Sequence, residues 1–184
     1  MKYKIIPLNN ILKEYKELNM DSQFKPVAVG RYGIRRREDI YKKELAKDYS
    51  KNKVIYKDTL TIGMGSKQID IGILSENCKY SVSPAYHTFK IENIDSDYLR
   101  YCLNYLNDDM SERYMIASAR QGKTIDFKRW LEYGIPVYEH SKQLDIVSEL
   151  DSISEIIEGL KTNLNTFNQL IKSRFMCQEV KKCF

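Results

Sequence analysis

The strongest pattern in the chain is a run of large apolar residues in its last quarter. They follow alternating spacings of four and three residues without a polar interruption. Spacings that average about 3.5 residues place such side chains on one stripe of an α-helix, as in a coiled coil. The positions are Ile146, Leu150, Ile153, Ile157, Leu160, Leu164, Phe167 and Ile171. The pattern predicts one long helix with Ser141 as its N-cap.

This helix needs a partner from outside its own sequence, because no second segment of the chain carries a comparable pattern. Burying its apolar stripe at about 1.5 to 3 kcal/mol per side chain is worth more than about 10 kcal/mol before entropy. A neighbouring row adds Ile156 and Leu170 beside Glu149 and Asn163, so the stripe is wider than a two-stranded seam. We therefore expect the helix to pair with a second copy of the chain or to dock on another subunit.

The preceding part of the chain predicts short strands interspersed with short helices. A strand and a turn are expected within 27–33, and further strands at 54–56, 59–62, 69–74, 80–91 and 134–137. A weakly helical stretch is expected up to about Leu18. Helices are expected over 38–51, from Asp95 or Ser96 to Leu106, and around Trp130. The prediction is an α+β fold: a globular domain, 1–138, with a curved mixed β-sheet, then one long C-terminal coiled-coil helix, 139–184.

Composition excludes several classes of protein. An apolar fraction of 42% and 14 tyrosines argue against a disordered chain. No apolar run approaches the roughly eighteen residues of a membrane span, and no secretory signal follows the first residues, so a cytoplasmic location is expected. The cysteines, Cys78, Cys102, Cys177 and Cys183, include no C-x-x-C pair, and the histidines are His87 and His140. We expect free thiols and no metal site.

Charge is unevenly distributed, although the net value of +5 is modest. Residues 25–57 contain eleven Lys or Arg against four acids, a local charge of +7, whereas residues 139–161 contain two bases against six acids, a local charge of −4. Clustered cations suit contacts with phosphates, and an arginine can also read a guanine edge with two hydrogen bonds. The candidates are Arg31, Arg35, Arg36, Arg37, Lys42, Lys43 and Lys47. The alternative for each is a solvated basic surface.

Two glycine-containing segments are further candidates for contact with DNA. Arg120-Gln121-Gly122-Lys123 combines residues that read bases with a glycine that permits close approach of the backbone. Lys67 and Gln68 follow Gly65 in a similar segment. A plain turn is the alternative for both. Tyrosines more often belong to the core or to a sheet than to a DNA contact, and Tyr86 is the one that we would test as a DNA contact. Its neighbour His87 is interpreted as a sheet residue, because no carboxylate or nucleophile is spaced to form a catalytic triad with it.

Four segments of the chain resemble one repeat of the specificity (S) subunit of type I restriction-modification systems. They are Ile6-Pro-Leu-Asn-Asn-Ile, Tyr80-Ser-Val-Ser-Pro-Ala-Tyr-His-Thr-Phe-Lys-Ile, Gly122-Lys-Thr-Ile-Asp-Phe, and Gly134-Ile-Pro-Val followed by the heptad helix that contains Gln143. The resemblance spans nearly the whole chain. A departure is Pro136-Val-Tyr, where the family usually has two prolines.

The resemblance implies a target-recognition domain that reads double-stranded DNA, followed by a spacer helix. Both normally occur twice per subunit, and the helices pair antiparallel to hold two reading domains apart. For the single copy here, our hypothesis is a homodimer of half-subunits that recognises a palindromic, split site; a fragment of a longer, two-domain subunit is the alternative. A helix of about 35 to 40 residues would measure roughly 50 to 60 Å, about one and a half turns of DNA.

The family resemblance also implies that this chain is non-catalytic and holds no cofactor. Methylation would need methyltransferase (M) subunits carrying S-adenosylmethionine, with restriction (R) subunits as an open further partner. The residues themselves agree, because the chain has no P-loop and no glycine-rich cofactor loop after a strand. The competing interpretation is a coiled-coil scaffold that binds protein and has an incidental basic surface.

Overall fold

The computed structural model describes residues 2–31, 33–42, 48–65, 67–118 and 122–180; for residues 64, 118, 122, 123 and 175–180 it describes the backbone alone. The chain divides into two compact units, Met1–Gln143 and Leu144–Phe184. The functional boundary between residues 138 and 139 stays a prediction.

Short antiparallel strands dominate the first unit. Its strands are Lys4–Pro7 (β1), Leu12–Glu14 (β2), Val27–Gly30 (β3), Gly33–Arg36 (β4), Lys53–Ile55 (β5), Thr59–Met64 (β6), Ile69–Ile73 (β7), Tyr80–Val82 (β8), His87–Ile91 (β9), Met115–Ser118 (β10), Gly122–Ile125 (β11) and Gly134–Val137 (β12). A four-stranded sheet has the order β2-β9-β6-β7, and the two-stranded sheets are β1-β12, β3-β4, β5-β8 and β10-β11. The α+β prediction is confirmed, with several small sheets in place of one curved mixed sheet.

In the described part of the first unit, three short α-helices pack with these strands. They are Ser96–Tyr105 (α1), Asn107–Tyr114 (α2) and Phe127–Trp130 (α3). The carboxylate of Asp95 accepts a hydrogen bond from the Tyr98 backbone N–H at 2.8 Å, which confirms Asp95 as the N-cap of α1. Leu99 and Leu103 on α1 are fully buried together with Trp130, in a core that also takes its apolar residues from β2, β6, β7 and β9.

Strand alternation decides which face of β7 meets this core. Ile69 and Ile71 are buried in it, whereas Gly72 points to the opposite face. A Cβ atom at Gly72 would lie 2.6 Å from Cγ1 of Ile34 and 3.1 Å from Cγ1 of Val29, so the β3-β4 hairpin crosses directly over this glycine. Val29 belongs to a second, smaller hydrophobic cluster with residues of β3, β5 and β8.

Several predicted elements are wrong in detail. The helical stretch expected up to Leu18 contains β2 instead, because its residues pair with β9. The helix expected over 38–51 is absent from the described parts of that range, where Arg37–Tyr41 form turns; residues 43–47 lie outside the described residues. Strands β10 and β11 and helix α2 were not predicted, since their short polar segments acquire structure by pairing and packing with distant residues.

The second unit is almost entirely helical. Helix α4 runs from His140 to Val180, 41 residues, so the long helix is confirmed and begins one residue before the predicted N-cap Ser141. Its first turn contains Gln143, which belongs to the first unit. Among the heptad positions, Ile146 and Leu150 are half-buried, and six are exposed: Ile153, Ile157, Leu160, Leu164, Phe167 and Ile171. No helix in the described part of the chain is long and apolar enough to cross a membrane.

Candidate nucleic-acid interface

The β3-β4 hairpin carries the densest group of predicted DNA-binding residues. Gly33 adopts a left-handed conformation, with φ of 80°, which allows the tight return between the two strands. Val29 and Ile34 face each other across the hairpin and anchor it on β7. Arg31 lies exposed at the turn, and Arg35 is exposed on β4 at the position after Ile34. The apolar side of the hairpin therefore fixes the backbone that presents these cations.

Arg36 is held by a carboxylate that sequence reasoning missed. Its guanidinium Nη2 lies 3.7 Å from Oε2 of Glu76, which also accepts hydrogen bonds from the Tyr80 hydroxyl at 3.0 Å and from the Cys78 thiol at 3.5 Å. The hydrogen bonds from Tyr80 and Cys78, with Arg36 nearby, lower the pKa of Glu76. An ionised carboxylate with several donors orients the arginine while leaving about half of its side chain exposed.

A second group lies around Tyr86. A Cβ atom at Gly63 would lie 3.0 Å from Cε1 of Tyr86, so the ring packs on the β6 backbone. The hydroxyl lies 3.5 Å from the carbonyl oxygen of Val29. Burial is the main reason that the pKa of Tyr86 is raised, and the charge of Arg37 opposes the rise. The guanidinium of Arg37 lies 5.8 Å from the ring centre of Tyr41. Tyr86 is thus half-buried beside the basic hairpin.

The turn between β6 and β7 borders the same region. Lys67 is exposed and Gln68 is half-buried in this turn. Asp70 follows on β7, opposite Gly63 in the strand register. Burial raises the pKa of Asp70. The structure therefore brings the β3-β4 hairpin, the segment after it, Tyr86 and the β6-β7 turn into one region, which we call the basic surface.

Lys42 belongs to the segment after the hairpin and so to this surface, whereas several other predicted side chains cannot be placed on it. Lys42 is exposed after Arg37. Lys43, Lys47, Arg120 and Gln121 lie outside the described residues, and only the backbone of Lys123 is described, in β11. Strand β11 contacts β6, and its Ile125 joins the core. The roles predicted for these side chains stay predictions.

Two buried or paired residues near the site had only weak signals in the sequence. The ammonium of Lys53 donates to the backbone carbonyl of Tyr86, and the residue is 9% exposed. Burial lowers the pKa of Lys53. The signal in the sequence was a lysine within an apolar strand. The sequence could not show that the carbonyl of Tyr86 accepts its hydrogen bond. Lys53 holds the backbone of Tyr86 in place.

His87 has a carboxylate partner that the sequence did not predict. Its Nδ1 lies 2.7 Å from Oε1 of Glu14, and its ring lies 3.8 Å from the ring centre of Phe127. The expectation that His87 lacks a carboxylate partner is therefore wrong, whereas its interpretation as a sheet residue is confirmed, because it begins β9. The contact ties β9 to β2. Within the described residues, no three His, Cys, Asp or Glu side chains form a group that could hold a metal ion.

Comparison with known proteins gives structural matches alone. No family model matches the chain, and no curated protein matches it. A solved structure described as the "Structural basis underlying complex assembly and conformational transition of the type I R-M system" matches with a TM-score of 0.57 and 16% identity, over 86% of this chain and 40% of that chain.

Two further solved structures agree. The HsdS subunit from Thermoanaerobacter tengcongensis matches with a TM-score of 0.52 and 16% identity, over 86% of this chain and 39% of that one. The type I restriction-modification S subunit from M. genitalium matches with a TM-score of 0.54 and 13% identity, over 88% and 41%. The resemblance found in the sequence is confirmed at the level of fold: this chain has the fold of type I S subunits and spans about two fifths of their length.

Proposed function

We propose that the chain is the DNA-recognition half of a type I specificity subunit, and that it reads double-stranded DNA without catalysing a reaction. The observation that carries this proposal is the basic surface on a fold shared with S subunits. Arg31 and Arg35 project from a hairpin whose apolar side is fixed on β7. Phosphate contacts from such cations would set the register of the domain on DNA, and neighbouring side chains would read bases.

The exposed stripe of α4 supports pairing of two chains. Six of its heptad residues are exposed, and so are Ile156 and Leu170 in the neighbouring row. Large apolar groups at this spacing are stabilised by a partner helix. A second copy of the chain is the partner we propose, in an antiparallel pair. The 41 residues of α4 would measure about 60 Å. Two identical domains held apart in this way would recognise a palindromic site with a non-specific gap.

The methyl donor would belong to other subunits. We propose that methyltransferase subunits carrying S-adenosylmethionine bind the dimer in a prokaryotic cytoplasm, and that restriction subunits join where the system cleaves DNA. One of the matching solved structures concerns assembly of a type I complex, which supports partners of this kind. The wider apolar stripe of α4, with Ile156 and Leu170, offers them a surface beyond the dimer seam.

Salt dependence of DNA binding tests the recognition role. If the five described cations of the basic surface each neutralise one phosphate, the logarithm of affinity falls with the logarithm of salt with a slope of about −4.5 per chain. That slope corresponds to a loss of roughly 500-fold between 50 and 200 mM salt. The measurement is fluorescence anisotropy with duplexes selected from a random pool. The cations are Arg31, Arg35, Arg36, Arg37 and Lys42.

Paired substitutions localise the effect. Arg31→Ala with Arg35→Ala should reduce the magnitude of the slope by about two. Lys13→Ala with Lys16→Ala is the matched control, because both lysines are exposed and Lys13 lies on β2, at the opposite edge of the four-stranded sheet from β7. Equal effects of the two pairs, or binding that salt does not weaken, would contradict the proposal. Salt-insensitive capture of a protein partner would instead favour the coiled-coil scaffold.

A further inference from the structure

Asp70 occupies an unusual place on the basic surface. It shares with Gly72 the face of β7 that is turned away from the core and toward the β3-β4 hairpin. A Cβ atom at Gly65 would lie 2.8 Å from Oδ1 of Asp70, so the carboxylate leans against the backbone of the β6-β7 turn. Glycine at position 65 leaves the room that this carboxylate uses. Asp70 therefore lies between the two elements that carry candidate DNA contacts.

The carboxylate of Asp70 is half-buried without a donor in the described part of the chain. Burial is the sole cause that raises its pKa, and no hydrogen bond or ion pair from a described residue reaches it. Glu76 differs, since it accepts hydrogen bonds from Tyr80 and Cys78. A desolvated carboxylate without donors destabilises the folded state. Because such a residue opposes folding, it is expected where a ligand supplies the missing donor.

The surroundings indicate the kind of donor. A Cβ atom at Gly63 would lie 3.0 Å from Cε1 of Tyr86 and 3.4 Å from Cβ of Asp70, so Asp70 lies beside the Tyr86 ring. The same surface carries the exposed arginines of the β3-β4 hairpin, which suit a polyanion. A carboxylate there repels phosphate and accepts hydrogen bonds from the exocyclic amino group of a base. In the major groove, cytosine N4 is the donor that aspartate and glutamate bind.

We propose that Asp70 is a specificity-determining residue that accepts a hydrogen bond from the amino group of a cytosine in each half of the recognised site. The inference rests on the proposed function, since it requires that the basic surface meets the major groove. At Gly63 and Gly65 the missing side chains leave room that the Tyr86 ring and the Asp70 carboxylate occupy, so both groups lie close to the backbone of the β6-β7 turn. Arginines on the same surface would contact the phosphates around that base.

Substitutions at Asp70 test the inference in the 184-residue chain. The wild type, Asp70→Ala and Asp70→Asn are each used to select duplexes from a random pool, and the bound sequences are compared position by position. The wild type should require cytosine at one position of each half-site. Asp70→Ala should lose that preference by roughly tenfold or more while other positions keep theirs. Asp70→Asn should favour adenine there, because an amide pairs with adenine N6 and N7.

Thermal melting separates this role from a structural one. Removing a desolvated charge should leave the melting temperature unchanged or raise it, so specificity and stability change independently. Glu92→Gln, an equal change of charge at an exposed residue after β9, is the control and should alter neither. Unchanged preferences in Asp70→Ala, or a lower melting temperature with uniformly weaker binding, would overturn the inference alone. A wild type that selects no sequence would refute the proposed function and this inference with it.

Discussion

Pairing through α4 can be tested by placing two charges in its exposed stripe. Ile157 is 45% exposed and Leu164 is 60% exposed, so a partner helix could bury about half of each side chain. At about 2.5 kcal/mol for a fully buried side chain, these fractions correspond to about 1.1 and 1.5 kcal/mol. Replacing both with glutamate should therefore cost about 5 kcal/mol in a dimer, before the cost of burying charge. The dimer should dissociate roughly a thousandfold or more readily.

Sedimentation equilibrium over a range of concentrations measures this change. The wild type should have the mass of two chains at micromolar concentration. The double variant with Ile157→Glu and Leu164→Glu should have the mass of one chain. Thr162→Glu with Gln169→Glu is the control, because both residues are exposed and fall on the opposite side of the heptad. A wild type with the mass of one chain would refute the reasoning. A double variant that keeps both its mass and its affinity for DNA would refute it equally.

Three further predictions concern the first unit. Gln143→Leu should lower its free energy of unfolding by about 1 to 3 kcal/mol, since the buried amide accepts from the backbone N–H of Asp95 at 2.9 Å. Gly72→Ala should cost about 1 to 3 kcal/mol, because the new Cβ atom would meet Ile34 at 2.6 Å. Burial and a hydrogen bond to a carboxylate raise the pKa of Tyr133 to about 12, so folding favours the neutral phenol. Its contribution is complete below pH 10 and is lost as pH rises toward 12; Tyr133→Phe should flatten that loss.

Urea denaturation measures all three, at neutral pH for the first two and from pH 8 to 12 for the third. Gln169→Leu is a control for Gln143→Leu, since this glutamine is exposed on α4 and should have little effect. Gly159→Ala is a control for Gly72→Ala, because a Cβ atom at Gly159 meets nothing within 4 Å. An unchanged unfolding free energy in Gln143→Leu or Gly72→Ala would show that the surrounding backbone adapts. A slope above pH 10 that Tyr133→Phe leaves intact would assign the titration to other groups.

Local patterns predicted those elements whose cause is local. The heptad spacing fixed α4 because burial on one stripe requires that period, and Asp95 marked the start of α1 because a cap acts over three residues. Alternating apolar strands such as β6 and β7 were also predicted. The helix expected over 38–51 is absent from the described parts of that range, where residues 37–41 form turns after β4.

The candidate site was predictable in part. Sequence alone located the cations, because clustered charge can be read directly from the chain. It could not locate Glu76 or Asp70 as members of the same surface. Glu76 meets Arg36 through a contact forty residues apart in sequence, and Asp70 meets the region of Tyr86 through the pairing of β6 and β7. Such contacts depend on which strands are neighbours, which no local period encodes.

The sequence by itself determined that a basic, strand-rich part precedes one long helix with an apolar stripe, because charge and hydrophobic period are properties of consecutive residues. Tertiary structure alone decided that the β3-β4 hairpin crosses Gly72 and that its arginines share a surface with a half-buried carboxylate. The physical reason is burial. Whether a carboxylate is solvated, paired or left without a donor depends on the neighbours that the fold brings to it, and those neighbours are distant in the chain.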